Sequence, residues 1–594
     1  PGLIVPLKSA RQSGFLVPSM EVSGRGGVGL SESYFWAIDR SRDLTFTPTW
    51  YERLGFKGHG DYRYVLGPNS YGRLQTAAMK DRLSPQTALP GPEDRWFAWY
   101  QHRLDLPQNY VHRMNLTQVS DLRYPRDFPE ELYGHGDPAL ENRMSLTRST
   151  DFSLLTIDGD MYTNLLKASP IANNDDAVHR LPEIRYSLKE QSLMESGFFV
   201  GLDVNYVNFA RGSSNYDDLI GDPRTGNRMA LIQNPDHGEI QRDGRYDPAT
   251  DVFRAGQRLD IRPSISYPFQ IARRFEVRPK ISYRETQYRF APTEPAKDSG
   301  FTPTADRRYL QTEVAMRTEL TRIYGPNDPG ATRLKHSIEP DIAYSTIPWK
   351  RRPDHPFFGE YNGLQYSRQF EPVSDSDLSL LNNNTGLQFD YEDRTYDREV
   401  VNFGLSNIFT RKTWLHGEPV YKTAAIFRLA QSYDFNEARA ERPHPWSSID
   451  GLMDVRLDRF ETYTTFAYNG YAQVTNMSSR VKIMTGAQNY LQGTYTRNIL
   501  LGDEYEIEPN GETRNFGFGA GIYLKYLEAV GQFDYEAQKW ALQSFTYALN
   551  VRPPGRCWLL KFEQRLVPNG SPQTRASLSF DFGGEGSGAG GNLM

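Results

Sequence analysis

Long apolar runs are missing from this chain of 594 residues. None approaches the roughly 18 residues that a membrane-spanning helix needs. A mean hydropathy of −0.64 with 38% hydrophobic residues excludes a helical membrane protein. Cysteine is nearly absent: Cys557 stands alone, so no disulfide framework exists within the chain. Charge of one sign is absent too. The 68 basic and 73 acidic residues are well mixed, the net charge is −5, and no basic stripe supports nucleic-acid binding. The 10 histidines never form H-E-x-x-H or another ligand spacing, so His336, His355 and His416 read as surface residues before metal ligands. No nucleophile elbow and no Ser/His/Asp spacing is visible, which weakens an enzyme reading without removing it. The first residues, Pro1-Gly2-Leu3-Ile4-Val5-Pro6, carry no signal-peptide pattern; for an exported protein this implies that the signal has been removed.

What the chain does have is aromatics, 13% of the total with 36 Tyr and 32 Phe, and a recurring alternation. Leu310, Thr312, Val314, Met316, Thr318 and Leu320 fall on one face of a strand, and Gln311, Glu313, Ala315, Arg317, Glu319 and Thr321 on the other. Phe275, Val277, Pro279, Ile281 and Tyr283 alternate with Glu276, Arg278, Lys280, Ser282 and Arg284. Phe516, Phe518, Ala520, Ile522 and Leu524 alternate with Asn515, three glycines and Tyr523. Only every second residue need face lipid in a membrane barrel, and Tyr, Trp and Phe form girdles at the headgroups. The expectation is an all-β fold, one large transmembrane antiparallel β-barrel of about 26 strands. Pro279, with no N–H to give a ladder, predicts a local bulge or a missing bond.

Connections alternate in length. Residues 39–43, 67–70 and 272–274 read as short turns, and 120–142, 212–256, 291–307, 345–398 and 498–514 as long polar loops, the asymmetry of outer-membrane barrels. Predicted segments are the end of a preceding domain or linker at 1–13, the barrel at 14–582, and a Gly-rich flexible tail at 583–594. The last strand is predicted over 576–582, with Leu578, Phe580 and Phe582 opposite Ser577, Ser579 and Asp581; before it come a loop at 568–574 and a strand at 558–566. Two crossings back from the C-terminus place Cys557 on the side of the termini, the periplasm, where disulfides form. It is either a packed small residue or one partner of a disulfide to something outside this chain.

Gly24-Arg25-Gly26-Gly27-Val28-Gly29 matches G-x-G-x-x-G, but a strand-like run follows where a dinucleotide site needs a helix, so it reads as a hairpin turn. Asp390, Tyr391, Glu392, Asp393 and Asp397 lack calcium-loop spacing and are interleaved with Arg394 and Arg398; a charged loop paired with itself or with the lumen wall is preferred. Pro18 falls inside the first predicted strand, 14–23. In a closed barrel that strand meets the last, so Pro18 either weakens the seam or only ends the strand.

Several segments together resemble the LptD family of LPS-transport outer-membrane proteins. Arg11-Gln12-Ser13-Gly14-Phe15-Leu16-Val17-Pro18 resembles its R-x-S-G-F-L-x-P start of the barrel. Tyr34-Phe35-Trp36-Ala37-Ile38, Asp43-Leu44-Thr45-Phe46-Thr47-Pro48 and Arg95-Trp96-Phe97-Ala98-Trp99-Tyr100-Gln101-His102 continue the likeness, as do Val119-Ser120-Asp121 and Asp127-Phe128. Asp393-Arg394-Thr395-Tyr396 is similar to the family's R-D-R-T-Y lumen-loop motif, with Glu392 where that motif has arginine. The resemblance implies a lipopolysaccharide translocon of the bacterial outer membrane with periplasmic termini, no cofactor and no catalysis. Its implied partners are lipopolysaccharide, outer-membrane lipids, an LptE-like plug lipoprotein in the lumen, and a periplasmic LPS-bridge protein reached through an N-terminal jellyroll that precedes this chain. A lateral gate between the first and last strands is implied at Gly14, Phe15, Leu16, Val17, Pro18, Ser33, Leu578, Phe580 and Phe582. Pro18 matches a family proline that weakens the gate. A second family proline falls at Ser33, so a pairing defect there is in doubt. The resemblance also implies that Cys557 bonds to the preceding domain. The rival expectations are a porin or substrate-specific channel, an outer-membrane hydrolase, and a soluble all-β repeat protein such as a propeller.

Overall fold

The computed structural model describes residues 12–580 except 17, 88–89, 129–130, 133–138, 166, 168, 176, 213–214, 218–251, 291–301, 327–330, 352–390, 394–397, 416, 487, 503–504, 553–557 and 567–572. Thirty strand segments form one antiparallel sheet that closes on itself where Ser19–Ser23 pairs with Gln573–Phe580. Eight of the segments are halves of four interrupted strands, which leaves a barrel of 26 strands. Closure removes every free edge, and alternation supplies two solvents, one on each face. The fourteenth and fifteenth strands show it: Val314 faces Tyr344 and Met316 faces Ile342 on the outside, while Glu313 faces Ser345 and Arg317 faces Asp341 on the inside. Val314 is 44% exposed although apolar, the mark of a lipid-facing wall. Among the described residues no helix is long and apolar enough to cross a membrane.

The interruptions share a cause. The first strand is split into Gly14–Phe15 and Ser19–Ser23 around Pro18. The second is split into Gly27–Ser31 and Tyr34–Ala37, opposite Pro48. The twelfth is split into Gly256–Ser266 and Phe269–Ile271, opposite Pro279. The fourteenth is split into Thr304–Arg317 and Leu320–Tyr324, opposite Pro340. In the last three, Glu32, Tyr267 and Thr318 each donate an amide to the facing proline carbonyl at 3.3, 3.1 and 3.3 Å. Proline has no N–H to return, so the ladder lapses there. The uninterrupted alternation expected through 310–321 is therefore corrected at Thr318–Glu319. Pro279 itself stays in register with Val314; its missing bond falls on the other flank.

Connections on the side of the termini are short, the longest being 325–332, whereas the far side carries 81–93, 120–138, 165–178, 211–255, 290–303, 352–398 and 435–448. The loop expected at 498–514 is also corrected. Strands Tyr490–Leu501 and Ile507–Tyr523 leave only 502–506 between them. The charged residues read as loop lie on one face of this extension, where Arg497 and Arg514 both pair with Glu512. The last strand runs Gln573–Phe580, two or three residues earlier than expected.

Candidate functional site

The seam between the first and last strands is the weakest joint of the wall. Met20, Glu21, Val22 and Ser23 face Leu578, Ser577, Ala576 and Arg575, and one further backbone bond joins the Gly24 amide to the Thr574 carbonyl at 3.2 Å. Four residues in register compare with sixteen between Glu399–Leu415 and Glu418–Asp434. Gly14 and Phe15 pair with Phe35 and Tyr34 of the second strand and with none of the described residues of the last. Leu16 donates its amide to the Ser33 carbonyl at 2.7 Å. The first strand thus pairs along both halves with its neighbour but with the closing strand along only one.

The predicted gate residues divide accordingly. Gly14, Phe15, Leu16, Pro18 and Ser33 lie at or below the breaks, on the half of the hairpin nearest the termini. Leu578 lies in the paired half, facing Met20. Phe580 ends the last strand opposite Trp558. Val17 and Phe582 lie outside the described residues, as do Arg394, Thr395, Tyr396, Cys557, His355 and His416. The second strand breaks at Glu32–Ser33 although residue 33 is serine; the proline opposite, Pro48, supplies the missing donor's place, and the Ser33 hydroxyl bonds that of Thr47 at 2.8 Å. His336 is no free surface residue: its ring stacks on Phe409 and bonds Asn407. The hairpin expected at 24–29 is present. Gly27 has φ +70°, and a Cβ on Gly26 or Gly29 would collide with the Tyr51 ring at 2.8 or 2.9 Å.

The two faces of the seam differ chemically. Outside stand Met20, Val22, Leu578 and Ala576. Inside, Glu21 accepts a hydrogen bond from the Tyr51 hydroxyl at 2.6 Å and forms an ion pair with Arg575.

Two ion clusters brace the lumen, and neither is evident from spacing alone. Beside the seam, Arg95 (1% exposed) bonds Asp121 with two nitrogens at 2.9 and 3.0 Å and reaches Asp81 at 2.9 Å and Asp127 at 2.7 Å. Arg25, from the first hairpin turn, reaches the same two carboxylates, Asp81 at 2.7 Å and Asp127 at 3.2 Å. The rings of Tyr124 and Phe128 lie under Arg95, and Lys57 pairs with Glu131 above Phe128. Burial pushes the Asp81 carboxyl up, but the bonds from Arg25 and Arg95 outweigh it and hold it below the usual carboxylate value. The second cluster receives the loop of 352–398. Asp393 accepts from Arg258 at 2.9 Å and Tyr288 at 2.8 Å, while Glu392 accepts from Arg284 at 2.9 Å and both residues' carbonyls accept from Arg307. Burial raises the Asp393 carboxyl, and Arg258 and Arg307 more than reverse it. Glu392 and Asp393 therefore pair with the lumen wall, and Asp390 and Asp397 lie outside the described residues. Among the described residues no group of three His, Cys, Asp or Glu side chains is placed to hold a metal.

A closed wall with an apolar outside, a polar inside, inward-folded loops and one weak seam defines a large outer-membrane β-barrel. The family model "LPS transport system D" matches residues 93–535, and the chain belongs to this LptD family. The "LPS-assembly protein LptD" of Pseudomonas putida strain GB-1 is 25% identical over 468 residues, covering 73% of this chain and 48% of that protein. That of Nitrosococcus oceani is 26% identical over 386 residues, 64% and 44%. That of Cupriavidus pinatubonensis is 23% identical over 567 residues, 90% and 60%. The chain spans about half the length of the curated relatives it matches. The protein is an outer-membrane barrel.

Proposed function

We propose that this chain is the barrel of a lipopolysaccharide translocon that releases its cargo sideways into the outer leaflet through the seam. The observation that carries the reading is the seam itself: four residues in register, an interrupted first strand, an apolar outer face and a charged inner one. Lipopolysaccharide joins an anionic sugar head to several acyl chains. Each buried unsatisfied polar group in hydrocarbon costs several kcal/mol, and each CH₂ held in water costs about 0.8 kcal/mol. A slit between two strands lets the head travel in the wet lumen while the chains leave through the wall. Parting four residues costs a few strand bonds of about 0.5–1.5 kcal/mol each; parting a sixteen-residue ladder would cost several times more. A plug lipoprotein in the lumen and a periplasmic bridge that feeds an upstream domain complete the proposed machine.

The test is a disulfide across the seam between V22C and A576C, which are in register, with L405C and L429C of the sixteenth and seventeenth strands as the control. The oxidised seam pair is expected to stop lipopolysaccharide reaching the surface and reduction to restore it, with the control exporting normally. Normal export through an oxidised seam would end the lateral-gate reading and leave a simple channel.

A further inference from the structure

The first hairpin is fastened unequally on its two flanks. Toward the body of the barrel, Arg25 shares Asp81 and Asp127 with the buried Arg95 and lies over the Phe128 ring. The Tyr51 hydroxyl reaches past the second strand to Glu21, through the gap that Gly26 and Gly29 leave by having no side chain. Arg53 donates from its side chain to the Gly24 carbonyl at 3.0 Å and from its amide to the Gly26 carbonyl at 3.1 Å. Toward the seam, the short ladder is supplemented by the Glu21–Arg575 pair, in which Arg575 is 43% exposed. Asp81 is fully buried (0% exposed) and needs its cations, so pulling Arg25 away strips a partner from a charge that water cannot reach. Pulling Arg575 away exposes it to a wet lumen that solvates it at little cost.

We infer that Arg25 is a positioning residue for release: it clamps the far-side tip of the first hairpin to the barrel, so that the last strand is the leaf that swings and the first hairpin is the fixed jamb. This rests on the lateral-gate reading above. It also gives the Gly-rich turn a role beyond turning. The glycines let Tyr51 and Arg53 approach, and the one long side chain among them is the clamp.

Spin-label distances test it, on the full-length translocon in lipid nanodiscs with lipopolysaccharide being delivered, the labels being carried on non-cysteine side chains so that Cys557 is kept. One label pair joins Leu30 of the second strand to Leu154 of the ninth; the other joins Leu578 of the last strand to Leu154. Delivery is expected to lengthen the Leu578–Leu154 distance by at least about one strand spacing, ~4.8 Å, and to leave the Leu30–Leu154 distribution unchanged. Arg25→Ala is expected to make the Leu30 distribution shift as well, and Arg25→Lys, which keeps a cation, to return it to the wild-type width. A Leu30 shift equal to that of Leu578 in the wild type overturns the inference, as does a Leu30 distribution untouched by Arg25→Ala. Delivery with neither label moving overturns the lateral gate itself, a result distinct from the other two.

Discussion

At the scale of single residues, the far-side mouth beside the seam is held by a largely buried network in which Arg25 and Arg95 share Asp81, Asp121 and Asp127. Removing one member leaves others uncompensated, which is costly where water is excluded. Arg95→Ala is expected to lower stability by about 3–5 kcal/mol, read as a drop in the temperature at which the barrel loses its compact mobility on an unheated gel. The cluster also sets a pH dependence. The Asp81 carboxyl is depressed in the folded protein, so its contribution is fully present above the unfolded value near 4 and is lost as pH falls through the lower folded one. The Leu83 and Ser84 amides, which donate to Asp81, are expected to lose protection, relative to the intrinsic exchange rate at each pH, below about pH 4 and to keep it between pH 5 and 8. Little of this was legible. Arg95, Asp121 and Asp127 were singled out by family likeness, but Asp81 had no signal and Arg25 read only as part of a turn, because partnership between residues 14 to 102 positions apart is set by which loops fold inward. Gly29 marks the other limit. Its spacing read as a turn, whereas its neighbours show that it clears a path for Tyr51. Gly29→Ala is expected to displace that ring, at about 1–3 kcal/mol, and to break the Tyr51–Glu21 bond.

At the scale of elements, the alternation of apolar and polar residues fixed strand existence well, and the turn at 24–26 and the strand Trp558–Leu566 fell where expected. Interruptions were harder to read. A proline has no N–H to give, so the gap opens in the neighbouring strand at a position no local pattern marks: Glu32 opposite Pro48, Thr318 opposite Pro340. Pro18 alone breaks the strand that contains it, and it does so at the level where pairing with the last strand ceases. Pro18→Ala restores a donor there. The expected result is extension of the seam ladder by one or two bonds, about 0.5–1.5 kcal/mol each, and export slowed roughly three- to tenfold with barrel stability unchanged or raised. Surface labelling of newly made lipopolysaccharide measures the first and thermal gel mobility the second. An export rate indifferent to the substitution would place the controlling step elsewhere.

At the scale of the whole molecule, the barrel is a ring of unequal joints, and local opening follows the weakest. Asp393 and Glu392 tie an inward loop to the twelfth, thirteenth and fourteenth strands, and Arg25 and Arg95 tie the mouth over the first seven. Between those braced arcs the seam has four residues in register, against sixteen in the joint of the sixteenth and seventeenth strands. Amides of Met20, Val22 and Leu578 are therefore expected to exchange on the order of a hundredfold faster than those of Phe403, Leu405 and Leu429, a difference of about 3 kcal/mol. Hydrogen exchange with mass spectrometry in detergent measures it. Under the proposed lateral release, a uniform ladder would hold everywhere or fail everywhere, whereas a short seam beside braced arcs directs opening to one line. If the seam amides proved as protected as the longest ladder, bracing would not be directing the opening, and the weakness at Pro18 would be a local flaw without mechanical consequence.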